Sequence, residues 1–373
     1  MKRPMRTWLS TAALLCAALS ARAQSTPPLP APPLPSRTQV LALMHRTDAW
    51  QIAHPVMPAD DRNWERGTWY TGVMEAWKAT GDETFLNQAL DWGRLNQWQV
   101  GTEKAGANRL FCAETWTELS LAQHDPSQRN QIIAPTQKWL ATDAPNSPGG
   151  PARWYLDNGR PYVDSLYGAA VFPMLARATG DRQYLVTMHA FTRDIVAELL
   201  DQDAGLLYRD PSYIGKRTAR GKKILWSRGN GWAFAGLARV LEYLPKNDPE
   251  REKYLALYRR MAEALAGRQS ADGFWRANLD DPDDIPNPES SGTAFFCFGY
   301  AWGIRHRLLD RRRYLPIVQK SYAALAAAVS PEGIVEWGQQ VDAQPHPTQR
   351  SSTHEYVTGA FLLASGEVYR LAR

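Results

Sequence analysis

The feature that most constrains the fold of this chain is a turn that repeats. Ala79-Thr-Gly-Asp-Glu-Thr-Phe-Leu86 closes one stretch of helical apolar periodicity and opens another, and Ala178-Thr-Gly-Asp-Arg-Gln-Tyr-Leu185 does the same. Asp248-Pro-Glu-Arg-Glu-Lys-Tyr-Leu255 and Leu309-Asp-Arg-Arg-Arg-Tyr-Leu315 are weaker echoes. In the full copies Gly ends a helix, Asp caps the next one, and an aromatic-Leu pair packs its first turn. Each copy is therefore the bend of a helical hairpin. Helical patterning also runs through 37–52, 108–121, 131–142, 254–268, 314–330 and 356–372, and strand-like alternation is scarce. Repeated hairpins joined by long connections, such as 199–226 and 271–291, predict an all-α toroid of helix pairs. Inner helices should be apolar nearly all round and outer ones amphipathic. The long loops should form a rim with a cleft suited to a sugar.

The N-terminus reads as an export signal. Lys2, Arg3 and Arg6 precede a short apolar run from Leu9 to Leu19, and Ala21-Arg-Ala23 is a small-x-small cleavage site. Residues 1–23 are thus expected to be a signal peptide, which predicts a periplasmic or extracellular protein. Four of the 43 basic residues leave with it, against 38 acids, so the mature chain carries a formal charge of +1. That balance gives no case for nucleic acid, and no membrane contact is expected of the mature form. Residues 24–36 are Pro-rich and read as a tether, leaving 37–373 as one catalytic domain. Cys112 and Cys297 sit in apolar helical surroundings, so buried free thiols are expected, with a disulfide as the alternative. No Cys/His cluster has metal-ligand spacing, and neither a phosphate loop nor a Gly-x-Ser-x-Gly elbow occurs, so no metal or cofactor is expected. The oligomeric state is not legible.

The chemistry concentrates in a few segments. Trp226-Ser-Arg-Gly-Asn-Gly-Trp232 combines two indoles with the directed donors of Arg228 and Asn230. Stacking faces plus a cationic clamp suit a sugar bearing a carboxylate, but the same residues also suit a helix entry with core indoles. Asp164 opens an apolar helix with almost no other charge. It is either an N-cap or a general acid whose pKa burial raises. Arg209 and Asp210 are either a surface ion pair or a clamp on a carboxylate. Trp64, Trp69 and Tyr70 are core or sugar platform. Ser291 and Thr293, in Glu289-Ser-Ser-Gly-Thr293, are helix-entry capping or hydroxyls lining a cleft. Glu355 precedes another buried helix and is either cap or site. The 15 Trp, 15 Tyr and 10 Phe among 373 residues fit sugar stacking and a large helical core equally.

Together, the Trp226–Trp232 string, the Asp164 helix and the 289–293 segment resemble the unsaturated uronyl hydrolases of glycoside hydrolase family 105, relatives of family 88. The resemblance covers roughly residues 40–372. It implies an (α/α)6 barrel of six helical hairpins, in agreement with the repeat. It also implies that the substrate is an oligosaccharide with a terminal 4,5-unsaturated uronic acid, left by polysaccharide lyases on rhamnogalacturonan or pectin. An aspartic acid protonates C4 of the vinyl ether, water adds at C5, and the hemiketal opens to expel the rest of the chain. Asp164 stands at the general acid/base position. The family's Ala-Asp-Asp-x-x-x-x-Gln-Thr-Tyr is here Ala107-Asn-Arg-Leu-Phe-Cys-Ala-Glu-Thr-Trp116, with Asn108 and Arg109 in place of the acids. Glu114 is the expected compensating carboxylate, and an inward Arg109 would lower the pKa of Asp164. The alternatives are a hydrolase of another uronoside, saturated ones included, and an inactive oligosaccharide-binding homologue.

Overall fold

The computed structural model describes Met1, residues 31–144 and residues 155–373. The expected signal peptide, Met1 aside, and residues 24–30 of the tether lie outside the described residues. From Ala31 onward the chain is one unit of antiparallel helix pairs. In chain order the α-helices among the described residues are α1 (Arg37–Ala53), α2 (Trp64–Thr80), α3 (Glu83–Leu95), α4 (Phe111–Ala122), α5 (Pro126–Thr142) and α6 (Val171–Thr179). They continue with α7 (Gln183–Leu199), α8 (Ser227–Tyr243), α9 (Arg251–Ala266), α10 (Ser290–Arg305), α11 (Arg311–Ala327) and α12 (Glu355–Leu371). Among the described residues, one two-stranded antiparallel ribbon pairs β1 (Leu200–Asp201) with β2 (Leu206–Leu207).

The repeated turns do what their residues dictate. Gly81 ends α2 at φ +73° and Gly180 ends α6 at φ +80°, a left-handed backbone that costs glycine nothing. Asp82 accepts the Thr84 N–H at 3.0 Å and Asp181 accepts that of Gln183 at 2.8 Å. The echoes cap likewise, Asp248 to Glu250 N at 2.9 Å and Asp310 to Arg313 N at 2.8 Å. Ser36 and Gln39 form a reciprocal capping box that starts α1.

Even-numbered helices form the inner ring. α2, α4, α6, α8, α10 and α12 pack in succession, and α12 closes back on α2. They are buried on all sides: α8 from Ser227 to Leu241 and α10 from Ser290 to Ile304. Outer helices bury one stripe; in α3 it is Phe85, Ala89, Trp92 and Gly93. This is the toroid of helix pairs expected from the repeat, and the six-hairpin (α/α)6 barrel that the family resemblance implied. Short turns join the inner helices α2, α4, α6, α8 and α10 to the outer helices that follow them. The long connections return from outer to inner helices, so their described residues lie toward the other end, where every inner helix begins.

Two details depart from expectation or decide it. The run after Asp164 is not one long helix. It is broken into 3-10 turns at Val163–Leu166 and Gly168–Ala170 before the nine-residue α6. Cys112 and Cys297 are buried free thiols, not a disulfide, and burial pushes each up to about 12. α2 and α12 pack closely, so a methyl on Gly359 would run into the Thr68 carbonyl and lie 2.5 Å from the Trp69 Cα. Gly359→Ala should therefore lower unfolding stability by about 1–3 kcal/mol, read from the denaturant midpoint. An unchanged midpoint would show that the ring can widen there.

Candidate active site

At the rim end the connections enclose a cavity of about 350 Å³. Trp64 enters it from the start of α2, Asn108 from the 3-10 turn that leads into α4, and Phe111 from the first residue of α4. Tyr162 and Asp164 come from the segment before α6, and Arg209 from the residues after β2. Trp226, Arg228 and Trp232 come from the start of α8, and residues 341–343 from the connection before α12. The N-terminal ends of the inner helices meet here.

Asp164 does not cap a helix: its side chain makes no cap hydrogen bond, and Tyr162 holds that position. Its Oδ1 is buried with no hydrogen-bond partner, and its Oδ2 lies 3.9 Å from Arg209 Nε. Burial raises the carboxyl pKa above the ordinary aspartate value, and the Arg209 and Arg228 guanidiniums only partly offset it. The net direction keeps the proton on Asp164 to higher pH than usual, the state a general acid needs. The Val163 N–H to Arg209 carbonyl bond, 2.9 Å, pins the Asp164 turn to the Arg209 segment.

Arg209 is the junction of three acids: Asp210 at 2.7 Å, Asp157 at 3.2 Å and Asp164. Its Nε is buried without a hydrogen-bond partner. Arg228 is buried and holds the opposite wall, donating to the carbonyls of Gln339 (3.2 Å), Gln340 (2.9 Å) and Asp342 (2.5 Å) and to Tyr356 Oη at 2.6 Å. Its guanidinium lies over the Trp226 ring at 4.5 Å, and Trp226 Nε1 donates to Gln339 Oε1 at 2.7 Å. Trp64 and Trp232 meet edge to face at 5.8 Å, giving the cavity its apolar side. Arg228 spreads these bonds over two nitrogens of a rigid planar fork, Nη1 to Gln339 and Gln340 and Nη2 to Asp342, and a lysine ammonium has a single nitrogen. Arg228→Lys should therefore loosen the 339–343 wall and raise KM about tenfold or more, measured by steady-state kinetics. An unchanged KM would mean that the wall stands without it.

Asn108 lies at the cavity, between Glu103 Oε2 (2.7 Å from its Nδ2) and the Tyr162 hydroxyl (2.7 Å from its Oδ1). Arg109 does not point at Asp164. Its Nε donates to the Glu103 carbonyl at 2.5 Å, which locks the guanidinium onto the 102–103 backbone.

Several expected site residues stand elsewhere. Glu114 is wholly buried in the barrel core, paired at 2.6 Å with Arg239, so it is no compensating carboxylate for Asp164. Asn230 uses its amide on the β2 backbone, accepting from Leu207 N and donating to Leu207 O, both at 2.9 Å. Trp69 donates to Asp48 at 2.8 Å and Tyr70 stacks on Trp92 at 4.0 Å, both on the side of α2 away from the cavity. Ser291 bonds to Glu289, and Thr293 donates to the Glu289 carbonyl and accepts from Trp275 N; this is capping of α10. Glu355 pairs with Arg66 at 2.7 Å and accepts the Val56 and Met57 N–H groups, anchoring the 54–63 connection. Asn230, Thr293 and Glu355, at inner-helix starts, thus satisfy backbone that the closed ring buries.

The structure adds Glu103, Lys104, Phe111, Asp157, Tyr162 and Asp342 to the lining. The usable signal was position: they lie on, or beside, the long connections from outer to inner helices. Residue type alone did not single them out.

A model of Glycosyl Hydrolase Family 88 matches residues 37–372. Among curated relatives, an unsaturated 3S-rhamnoglycuronyl hydrolase of Alteromonas sp. is 36% identical, over 86% of this chain and 83% of its own length. Another of the same name from Formosa agariphila is 30% identical, over 90% and 92%. A solved family 88 hydrolase from Bacteroides vulgatus superposes with a TM-score of 0.80 at 30% identity, covering 90% of this chain and 99% of that one. A possible family 105 member from Salmonella enterica, 20% identical, shares the fold at a TM-score of 0.75. With that match over almost the whole barrel, the chain belongs to Glycosyl Hydrolase Family 88 and is a glycoside hydrolase.

Proposed function

We propose that the enzyme removes a terminal 4,5-unsaturated uronyl residue from an oligosaccharide by hydrating its double bond. The observation that carries this reading is the buried Asp164 Oδ1, which has no hydrogen-bond partner while Oδ2 lies only within ion-pair reach of Arg209. The other carboxylates in the cavity are occupied: Asp157 by Arg209 at 3.2 Å, Asp342 by His346 at 2.6 Å, Glu103 by Trp64 N and Asn108. Ordinary glycoside hydrolysis needs two working carboxyl groups across the scissile bond. A vinyl ether needs one acid. Asp164 gives its proton to C4, positive charge develops at C5, and water adds there while its proton returns to Asp164. The hemiketal so formed opens and releases the remaining oligosaccharide as an alcohol. The guanidiniums of Arg209 and Arg228 and the ammonium of Lys104 line the cavity and supply positive charge for the uronate carboxylate. Trp64, Trp226 and Trp232 offer the apolar faces.

The neighbouring sugar is taken to be rhamnose. The Alteromonas and Formosa relatives are named for rhamnoglycuronyl substrates, and a Bacillus subtilis relative, 26% identical, for a rhamnogalacturonyl one. Rhamnogalacturonan fragments from pectin remain the first substrate to try. The leader at 1–23 supports action in the periplasm or outside the cell. The test is to incubate the enzyme with lyase-generated rhamnoglycuronyl and rhamnogalacturonyl oligosaccharides and follow the ultraviolet absorbance of the double bond. Steady loss is expected. Release of a saturated uronic acid from other oligosaccharides, with the unsaturated ones untouched, would replace this reading by hydrolysis of a different uronoside. Binding without turnover would make the protein a carbohydrate-binding homologue.

A further inference from the structure

Glu103 is a half-buried carboxylate at the cavity that proton transfer from Asp164 does not use. Its two oxygens face different elements. Oε1 accepts the Trp64 backbone N–H at 2.8 Å, which ties the start of α2, and the indole it carries, to the 96–110 connection. A carboxylate at a helix start is favourable for that reason alone. Anchoring of α2 does not account for Oε2. That oxygen accepts Asn108 Nδ2 at 2.7 Å, and Asn108 Oδ1 in turn accepts the Tyr162 hydroxyl at 2.7 Å. Tyr162 is buried, lines the cavity and stands two residues from Asp164.

The direction of every bond in this chain is forced from one end. A backbone N–H can only donate, so Oε1 accepts. An ionised carboxylate has no hydrogen, so Oε2 accepts as well, and Asn108 must present its NH2 there. Its carbonyl then faces Tyr162, whose single hydrogen is committed to it. The phenol oxygen is left with lone pairs only toward the cavity. We propose that Glu103 is a positioning residue that sets the hydrogen-bond polarity of Tyr162 through Asn108, so that Tyr162 meets the bound substrate as an acceptor of an O–H group. The group that donates to it is either a sugar hydroxyl or the water that adds to the double bond. This rests on the function proposed above, and it gives the site a directional contact that Asp164, Arg209 and Arg228 do not supply.

Glu103→Gln reverses the relay with almost no change of shape. Trp64 N–H still requires an acceptor, and the Gln carbonyl is the one available. Its NH2 then faces Asn108, the Asn108 amide turns over, and Tyr162 accepts from Asn108 and must donate into the cavity. Assays belong on the alkaline side of the Glu103 titration, which burial pushes up to about 7. Glu103→Gln should lower kcat/KM about tenfold, and Tyr162→Phe by a similar factor. The double variant should be no worse than the poorer single one, because both act on one hydrogen bond. A loss carried in KM identifies the donor as a sugar hydroxyl; a loss carried in kcat identifies it as water. Asn108→Ala cuts the same relay and serves if Glu103→Gln does not fold.

Two results overturn the proposal: an unchanged kcat/KM for Glu103→Gln, or a loss that persists in full in the Tyr162→Phe background. The second would reduce Glu103 to an anchor for α2. A wild-type enzyme that leaves unsaturated oligosaccharides untouched overturns the proposed function instead. The same double-variant cycle, read on calorimetric affinity for those oligosaccharides, then decides the relay separately.

Discussion

Asp164→Asn should lower kcat/KM on an unsaturated uronoside by about a hundred- to ten-thousand-fold, the usual worth of a positioned proton donor. Substrate affinity should change far less, because the amide keeps the shape of the side chain. The stability effect has the opposite sign. Burial raises the folded-state pKa of Asp164 above its ordinary value. Such a group binds its proton more tightly folded than unfolded, so its contribution to stability falls as pH rises from the unfolded value through the folded one. Above that window the wild-type protein carries a destabilising buried charge, and the amide removes it. Asp164→Asn should therefore melt at the same temperature as wild type or higher at alkaline pH, while being nearly inactive. In the wild type, turnover should fall as pH rises through the same raised pKa. A fall in activity matched by a fall in melting temperature would instead mean that Asp164 is structural.

The largest stability effect is expected at Arg239. Its side chain is buried in the barrel core, 2.6 Å from Glu114 Oε2 and 3.5 Å from Glu118 Oε1. Lys78 also reaches Glu118, at 2.8 Å, and Glu75, at 3.0 Å, so five charges share the space between α2, α4 and α8. Removing one partner from a buried pair leaves an uncompensated charge, at a cost of about 3–5 kcal/mol. Arg239→Ala should lose about that much, or fail to fold, by denaturant titration. Glu114→Gln should be far milder. Burial already pushes the Glu114 carboxyl up to about 7, opposed chiefly by Arg239, so near neutral pH it is close to giving up its charge in any case. Its activity should stay within a few fold of wild type. A loss of turnover as deep as that of Asp164→Asn, without unfolding, would return Glu114 to the chemistry.

The hairpin turns were the most legible part of the chain, because their physics is local. Gly81 and Gly180 need a left-handed backbone, and Asp82 and Asp181 need a free N–H two residues on; both requirements are met within a few residues. Asp164 was legible as an isolated charge in an apolar run, and Trp226, Arg228 and Trp232 as an unusual mixture at a helix start; all four line the cavity. Asn230, Ser291, Thr293 and Glu355 stand in look-alike positions, at the starts of α8, α10 and α12, yet face backbone rather than substrate. Nothing in residue type separates the two outcomes, since a helix start in a closed ring needs its buried N–H and C=O groups satisfied as much as a sugar does.

What the sequence determined by itself is the set of elements and their order: capped helices, tight bends and long returns, each fixed by interactions spanning a few residues. It also placed Asp164 among them. The tertiary structure decided which charges meet. Glu114 went to Arg239, Glu355 to Arg66, and Arg109 to the backbone of its own loop, while Glu103, five residues before Asn108, came to lie between α2 and Tyr162. The physical reason is that a helix repeats every 3.6 residues, so periodicity tells which face a residue occupies. The long connections have no such period. Where they fold over the ring, partners are set by closure of the barrel, between groups tens to hundreds of residues apart.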